Sequence, residues 1–267
     1  MRFLLAGAAI CLAAPAWCAG VAADAVELGG FDVVIMGEIH DNPEHHVNQA
    51  AWLTQMSPVA VVFEMLTPTQ AGIAQDVQAD GPAAIARATG WAESGWPDFT
   101  LYAPVFRALG AASIFGADVA RGDLRAAMAD GAASVLGDDA AAFGLTAPLD
   151  VDEQARREKL QADAHCGALP AAMLPTMIEA QRLRDGMLAR AVIQALDTVG
   201  GPVAVITGNG HARTDWGVPA LLKTARPELR VLSIGQIEDG PPGTDTSFDV
   251  PIATSAAVRD DPCAVFR

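Results

Sequence analysis

The chain is short of positive charge: 17 Lys and Arg stand against 32 Asp and Glu, a formal net charge of −15. Nucleic acid and anionic membranes are recognised by clustered cations, so neither is an expected partner. Tyrosine is almost missing, with one among 267 residues, and aromatics reach only 6%. Familiar motifs are missing too. There is no Walker loop, no G-x-G-x-x-G after a strand, no G-x-S-x-G elbow and no H-E-x-x-H helix, which weighs against nucleotide binding, serine hydrolysis and zincin chemistry.

Long apolar runs are also scarce. The one at the start, MRFLLAGAAICLAAPAWCAG, has a basic residue at Arg2, an apolar stretch over 3–14 and small residues at Ala14 and Ala16. It is shorter than the roughly 20 strongly apolar residues of a membrane span and is broken by Pro15. A secretory signal peptide over residues 1–23 is expected, with cleavage after Ala16, Ala19 or Ala23, leaving residues 24–267 as one exported, periplasmic domain. Lipid anchoring at Cys18 is not expected, because bulky Trp17 stands where a lipobox needs a small residue.

Losing the leader removes Cys11 and Cys18 and leaves Cys166 and Cys263. In an oxidising compartment a bridge between them is expected, tying the C-terminal tail to a central loop. Two free thiols or a soft-metal pair are the competing readings. Neither cysteine lies in a C-x-x-C or C-x-x-C-H pattern, so a zinc ribbon or covalently attached c-type haem is unsupported.

What is present is a 51% apolar chain, enough to fill a single core. Apolar runs bounded by turn residues recur at 33–36, 59–63, 111–115, 203–207 and 229–234, separated by helical patterning. This alternation predicts an α/β fold with a mostly parallel sheet covered by helices on both faces. Residues 120–175, irregular and interrupted by prolines, read as an inserted helical lid. The tail over 238–267 reads as a loop held by Cys263.

The stretch GEIHDNPEHH, residues 37–46, holds three of the five histidines and follows the first apolar run. Asn42 can cap a helix that starts at Pro43, which places Glu38 and His40 in a strand-to-helix turn. TPTQAGIAQ repeats the logic after the second run and sets Glu64 at its end. GNGHART follows the fourth run and carries His211. Open α/β sheets bind ligands outside the carboxyl ends of their strands, so Glu38, His40, Glu64 and His211 are expected to converge, with Asp118 a weaker candidate for the same rim.

Imidazole and carboxylate together suit a divalent transition metal held by Glu38, His40, Glu64 and His211, or a proton-transfer pair. Asp41, and at least one of the adjacent His45 and His46, read instead as solvated helix-start residues. On the helix predicted over 176–199, Gln181 and Asp185 interrupt an apolar stripe. They either mark solvent, pairing with Arg182 and Arg184, or face the same crevice. The aromatic segment GWAESGWPDFTLYAPVF reads as a hydrophobic plug or as the wall of a pocket for a planar ligand, with Tyr102 as its polar tip.

The ordered set GEIHDNPEHH, FEM, GWPDFTLYAPVF, EAQRLRDGMLA and GNGHART resembles the ChaN-like haem-binding uptake family of the Tiki and erythromycin-esterase superfamily, over roughly residues 31–235. The resemblance implies haem as cofactor, a homodimer around it, a tyrosinate axial ligand with a partner's histidine nearby, and membrane-associated uptake machinery. Tyr102 is the one tyrosine that can serve, with His40, His45 or His211 as substitutes and Gln181 and Asp185 lining the site. The superfamily also implies the alternative of a metal-dependent hydrolase, protease or esterase in type, that uses Glu38, His40 and His211 with Glu64 as an added acid. A third reading makes the cluster a satisfied structural network.

Overall fold

The computed structural model describes residues 22–240, 246–261 and 263–264. Six strands, β1 Val33–Glu38, β2 Ala60–Phe63, β3 Ser113–Gly116, β4 Val203–Gly208, β5 Val231–Glu238 and β6 Val250–Thr254, pair in the order β3-β2-β4-β1-β5-β6, every neighbour parallel. Parallel strands are buried on both faces, and the alternation within each run fills two separate cores. Val34, Met36, Val61, Phe63, Ala204 and Ile206 enter one core, while Val33, Ile35, Ala60, Val62, Val203 and Val205 enter the other.

The first core lies under helices α1 Pro43–Met56, α2 Pro68–Asp76, α3 Pro82–Thr89 and α4 Phe99–Arg107. Their starts are written in the sequence. Asn42 caps α1 by accepting from the Glu44 amide, and Thr67 with Gln70 makes a capping box on α2. Opposite lie α5 Arg121–Asp130, α6 Ala132–Leu136, α7 Asp139–Ala142, α8 Val151–Ala164, the long α9 Leu174–Val199, α10 Asn209–Ala212 and α11 Val218–Ala225. Leu183, Leu188 and Val192 of α9 and Leu222 of α11 anchor this second core.

Three expectations are corrected. The tail is not all loop: β6 adds an edge strand alongside β5, where the missing N–H of Pro251 is tolerated. The inserted helices are not all a lid. Ala127, Ala132, Leu136 and Ala140 of α5 to α7 belong to the core against α9, and α8, with Arg157 its one buried residue, is the part that stands out. Glu38 ends the strand itself rather than sitting in the turn.

The signal peptide expected over 1–23, with Cys11 and Cys18, lies outside the described residues apart from Ala22 and Ala23. From there the chain is docked, since Ala23 and Val26 carbonyls accept from Trp52 and Gln55 of α1. No helix among the described residues is long and apolar enough to cross a membrane. Cys166 and Cys263 are bridged, with Cα atoms 5.6 Å apart.

β1 is followed by α1 on one face, and its neighbour β4 by α10 and α11 on the other. The two connections diverge and leave a crevice beyond the carboxyl ends of β1, β4 and β2.

Candidate functional site

The crevice brings Glu38, His40, Glu64 and His211 together. Glu38 is buried, and its Oε1 accepts from the Tyr102 hydroxyl at 2.7 Å and faces His40 Nδ1 at 2.8 Å. Its Oε2 accepts from Gln49 of α1 at 2.7 Å. With Nδ1 given to this carboxylate, His40 Nε2 turns toward Glu64 Oε2, 3.9 Å away. Glu64 is fixed from β4, whose Thr207 hydroxyl and Gly208 amide both donate to Oε2 at 2.7 Å. A Cβ at Gly208 would sit 2.9 Å from His40 Nε2, so glycine is what lets the imidazole lie against the strand end.

The other half mirrors this arrangement. His211 Nε2 lies 3.5 Å from Glu64 Oε1, and its Nδ1 pairs with Asp185 Oδ1 of α9 at 2.6 Å. The result is one line of acid and base groups, Tyr102, Glu38, His40, Glu64, His211 and Asp185, with Glu64 between two carboxylate-oriented imidazoles. Of the two polar residues that break the α9 stripe, Asp185 reaches His211 rather than Arg182 or Arg184, while Gln181 lies outside this line, on the wall of a cavity between α8 and α9.

Protonation follows from the surroundings. Burial works against a charge on His40, but Glu64, Glu38 and Asp41 outweigh it and hold its pKa at about 9. Burial raises Glu64, yet His211, His40, the Gly208 amide and the Thr207 hydroxyl bring it down to about 2. For His211 burial is outweighed by Glu64 and Asp185, and the pKa rises. Asp185 is itself raised by burial, so this pair holds a proton tightly. Tyr102 is pushed above the ordinary phenol range by burial and by the charge of Glu38.

Several expectations change here. Neither His45 nor His46 is solvated; both are completely buried. His45 accepts from the Ile39 amide on Nδ1 and bonds Thr254 of β6 through Nε2, which leaves no nitrogen for a ligand. Burial keeps it neutral, with a pKa of about 4. His46 bonds the His40 carbonyl at 3.0 Å and supports the turn.

The aromatic segment is mainly a plug, with Phe106 stacked on Phe63 at 4.7 Å and Trp91 against Phe99 and Tyr102. Trp96, only partly buried, packs edge-on with His40, the ring centres 4.9 Å apart. Asp118 is half-buried beside the rim, its carboxylate accepting from the next backbone amide.

Tyr102 does not fit an axial tyrosinate, because its phenol is fully buried and donates to Glu38. His40 fits a metal-bound imidazole better. A carboxylate holds its Nδ1, and its Nε2 makes no hydrogen bond while about a third of the side chain (31%) stays exposed. Among the described residues no three His, Cys, Asp or Glu side chains are arranged to hold a free metal ion. Both oxygens of Glu38 and Oε2 of Glu64 accept from protein donors, while Glu64 Oε1 faces His211. Gln49 and Thr207, and the use of the Gly208 amide as a donor, escaped the sequence reading. The signal was position, since Thr207 directly precedes GNGHART and Gly208 opens it.

The fold is similar to that of a solved structure described as cofacial heme binding to ChaN of Campylobacter jejuni. The TM-score is 0.56 at 16% identity, over 79% of this chain and 83% of that one. The type III effector HopBA1 is more distant, with a TM-score of 0.47 at 14% identity over 85% and 88% of the two chains. No curated protein matches the sequence. Residues 25–222 match the family described as haem-binding uptake, Tiki superfamily, ChaN, and that span holds every residue of the cluster. The chain belongs to the ChaN haem-binding uptake family of the Tiki superfamily.

Proposed function

We propose that this protein binds haem at the rim of the crevice, with His40 Nε2 as the axial nitrogen, and that it does so as an exported homodimer in haem or iron uptake, beside membrane-associated uptake machinery. The observation that carries the reading is the state of His40: Nδ1 held by a buried carboxylate, Nε2 without a hydrogen bond, and the side chain partly open beside Trp96. Haem, when bound, would supply an iron that takes the Nε2 lone pair as His40 gives up the proton that Glu64 and Glu38 otherwise hold on its ring. Glu38 fixes the ring and raises its basicity, Tyr102 and Gln49 hold Glu38, and the edge of Trp96 offers an apolar flank. A second copy covers the open side of the rim.

Haem titration of the purified protein, followed by absorbance, tests this. A saturable Soret shift that is lost in His40→Ala and kept in Tyr102→Phe is expected. Loss in Tyr102→Phe with His40→Ala intact would overturn the assignment.

The second reading is hydrolysis by proton transfer, favoured by the line of groups from Tyr102 to Asp185 with their displaced pKa values. In that case ester or peptide turnover falls in His211→Ala without haem present.

A further inference from the structure

Bordered by Asp185, a cavity of about 330 Å³ opens between α8, α9 and α10. Neither His40, Glu64 nor Trp96 lines it, so it is separate from the proposed haem rim. Its walls are apolar, formed by Ile178, Trp216, Ile237 and Phe248, and Arg157 and Arg213 join them. The two guanidinium groups lie 5.1 Å and 4.0 Å from the centre of the Trp216 ring.

Arg157 is the unusual member. Its side chain is 10% exposed, one terminal nitrogen is spent on Glu153, and its Nε has no hydrogen-bond partner. A buried guanidinium N–H without an acceptor is costly, and the structure supplies no protein oxygen for it. Behind Arg157 a second cavity of about 240 Å³ is lined by Arg182, whose Nε is likewise unpartnered. The only acid on the larger cavity's lining among the described residues is Asp185, which engages His211.

Arg157 pairs with Glu153 and Arg213 holds both oxygens of Asp215, so the charge is partly met and what is left over is the Arg157 Nε–H. Apolar walls with a spare guanidinium donor ask for a ligand with an apolar body and one strong acceptor, which a carboxylate supplies best. The volume, at the small end of ligand sites, takes roughly ten non-hydrogen atoms at about 30 Å³ each. We infer that this cavity binds a small amphipathic carboxylic acid, its apolar body against Trp216 and Phe248 and its carboxylate on Arg157 and Arg213. The site does not depend on the haem reading.

Calorimetric titration of the purified protein with octanoate tests the inference, with octanol as the uncharged control. Octanoate is expected to bind one to one and about tenfold or more tighter than octanol. Arg157→Gln lowers octanoate affinity by a similar factor and leaves octanol unchanged.

Gly210 lines the cavity, and an added Cβ there meets nothing within 4 Å. Gly210→Leu therefore narrows the cavity and weakens both ligands at unchanged thermal stability. Should Arg157→Gln fail to fold, Arg213→Gln, whose pair with Asp215 is at the surface, makes the same comparison. His40→Ala leaves octanoate binding intact. No saturable octanoate binding, equal affinity for octanol, or binding indifferent to Gly210→Leu would each overturn the inference.

Discussion

Two neighbouring regions share Asp185 and differ in one respect. In the cluster, both oxygens of Glu38 and one of Glu64 are met by protein donors. In the cavity beyond Asp185, the buried Arg157 Nε has no partner. Donors that meet the carboxylates hold the imidazoles in place and set their protonation, although His46 Nδ1 and Gln49 Oε1 beside Glu38 also lack a hydrogen-bond partner. A polar atom left over at an opening holds a position for something that arrives. In the cluster that atom is an imidazole nitrogen of His40, and in the cavity it is a guanidinium N–H, which suits a head group.

The comparison breaks or sharpens on stability. Glu38→Ala strips the acceptor from Tyr102, His40 and Gln49 inside the core, and a loss of about 3–5 kcal/mol is expected in denaturant unfolding. A loss near zero would mean that the network is not the scaffold of the site.

A smaller effect is expected from pH. His40 has its pKa raised from 6.5 to about 9, so its contribution is complete below pH 6.5 and drains away as pH climbs through 9. Glu64 has its pKa lowered from 4.5 to about 2, so its contribution is complete above pH 4.5 and is lost as pH falls through 2. His45, lowered from 6.5 to about 4, adds a decline between those values as pH falls. The melting temperature should therefore peak near pH 6.5. His211, also raised, shares the alkaline limb, and His40 helps to hold Glu64 down, so His40→Gln should shrink the alkaline limb most and the acid limb slightly. An alkaline limb of unchanged height would show that His40 is not a cation of the folded protein.

The smallest effect should come from the cavity side. Arg213→Gln, which removes the pair with Asp215 and the guanidinium from the Trp216 ring, is expected to cost about 1 kcal/mol. A loss as large as that of Glu38→Ala would erase the contrast.

The sequence carried the sheet and the cluster's main members for a simple reason. Both are local signals: unbroken apolar runs mark strands buried on two faces, and the residue at each run's end lies at the carboxyl edge. Glu38, Glu64 and His211 are found that way. What escaped depends on contacts between distant segments. Tyr102 meets Glu38 across 64 residues because α4 folds back over α1. His45 is buried because β6, hidden by Pro251 and by polar neighbours, docks beside it. Neither contact leaves a periodic trace.

The strand order has a consequence for how the molecule is made. β4 lies between β1 and β2, yet it follows both by well over a hundred residues. As the chain grows from its N-terminus, the inner edges of β1 and β2 have no neighbour until residues 203–208 slot between them. Glu64 then gains Thr207 and Gly208, and His211 arrives on the same segment. The cluster is thus complete only once β4 is in place. A fragment that stops short of β4 keeps the three histidines of GEIHDNPEHH but has neither the closed sheet nor the crevice that gives them a role.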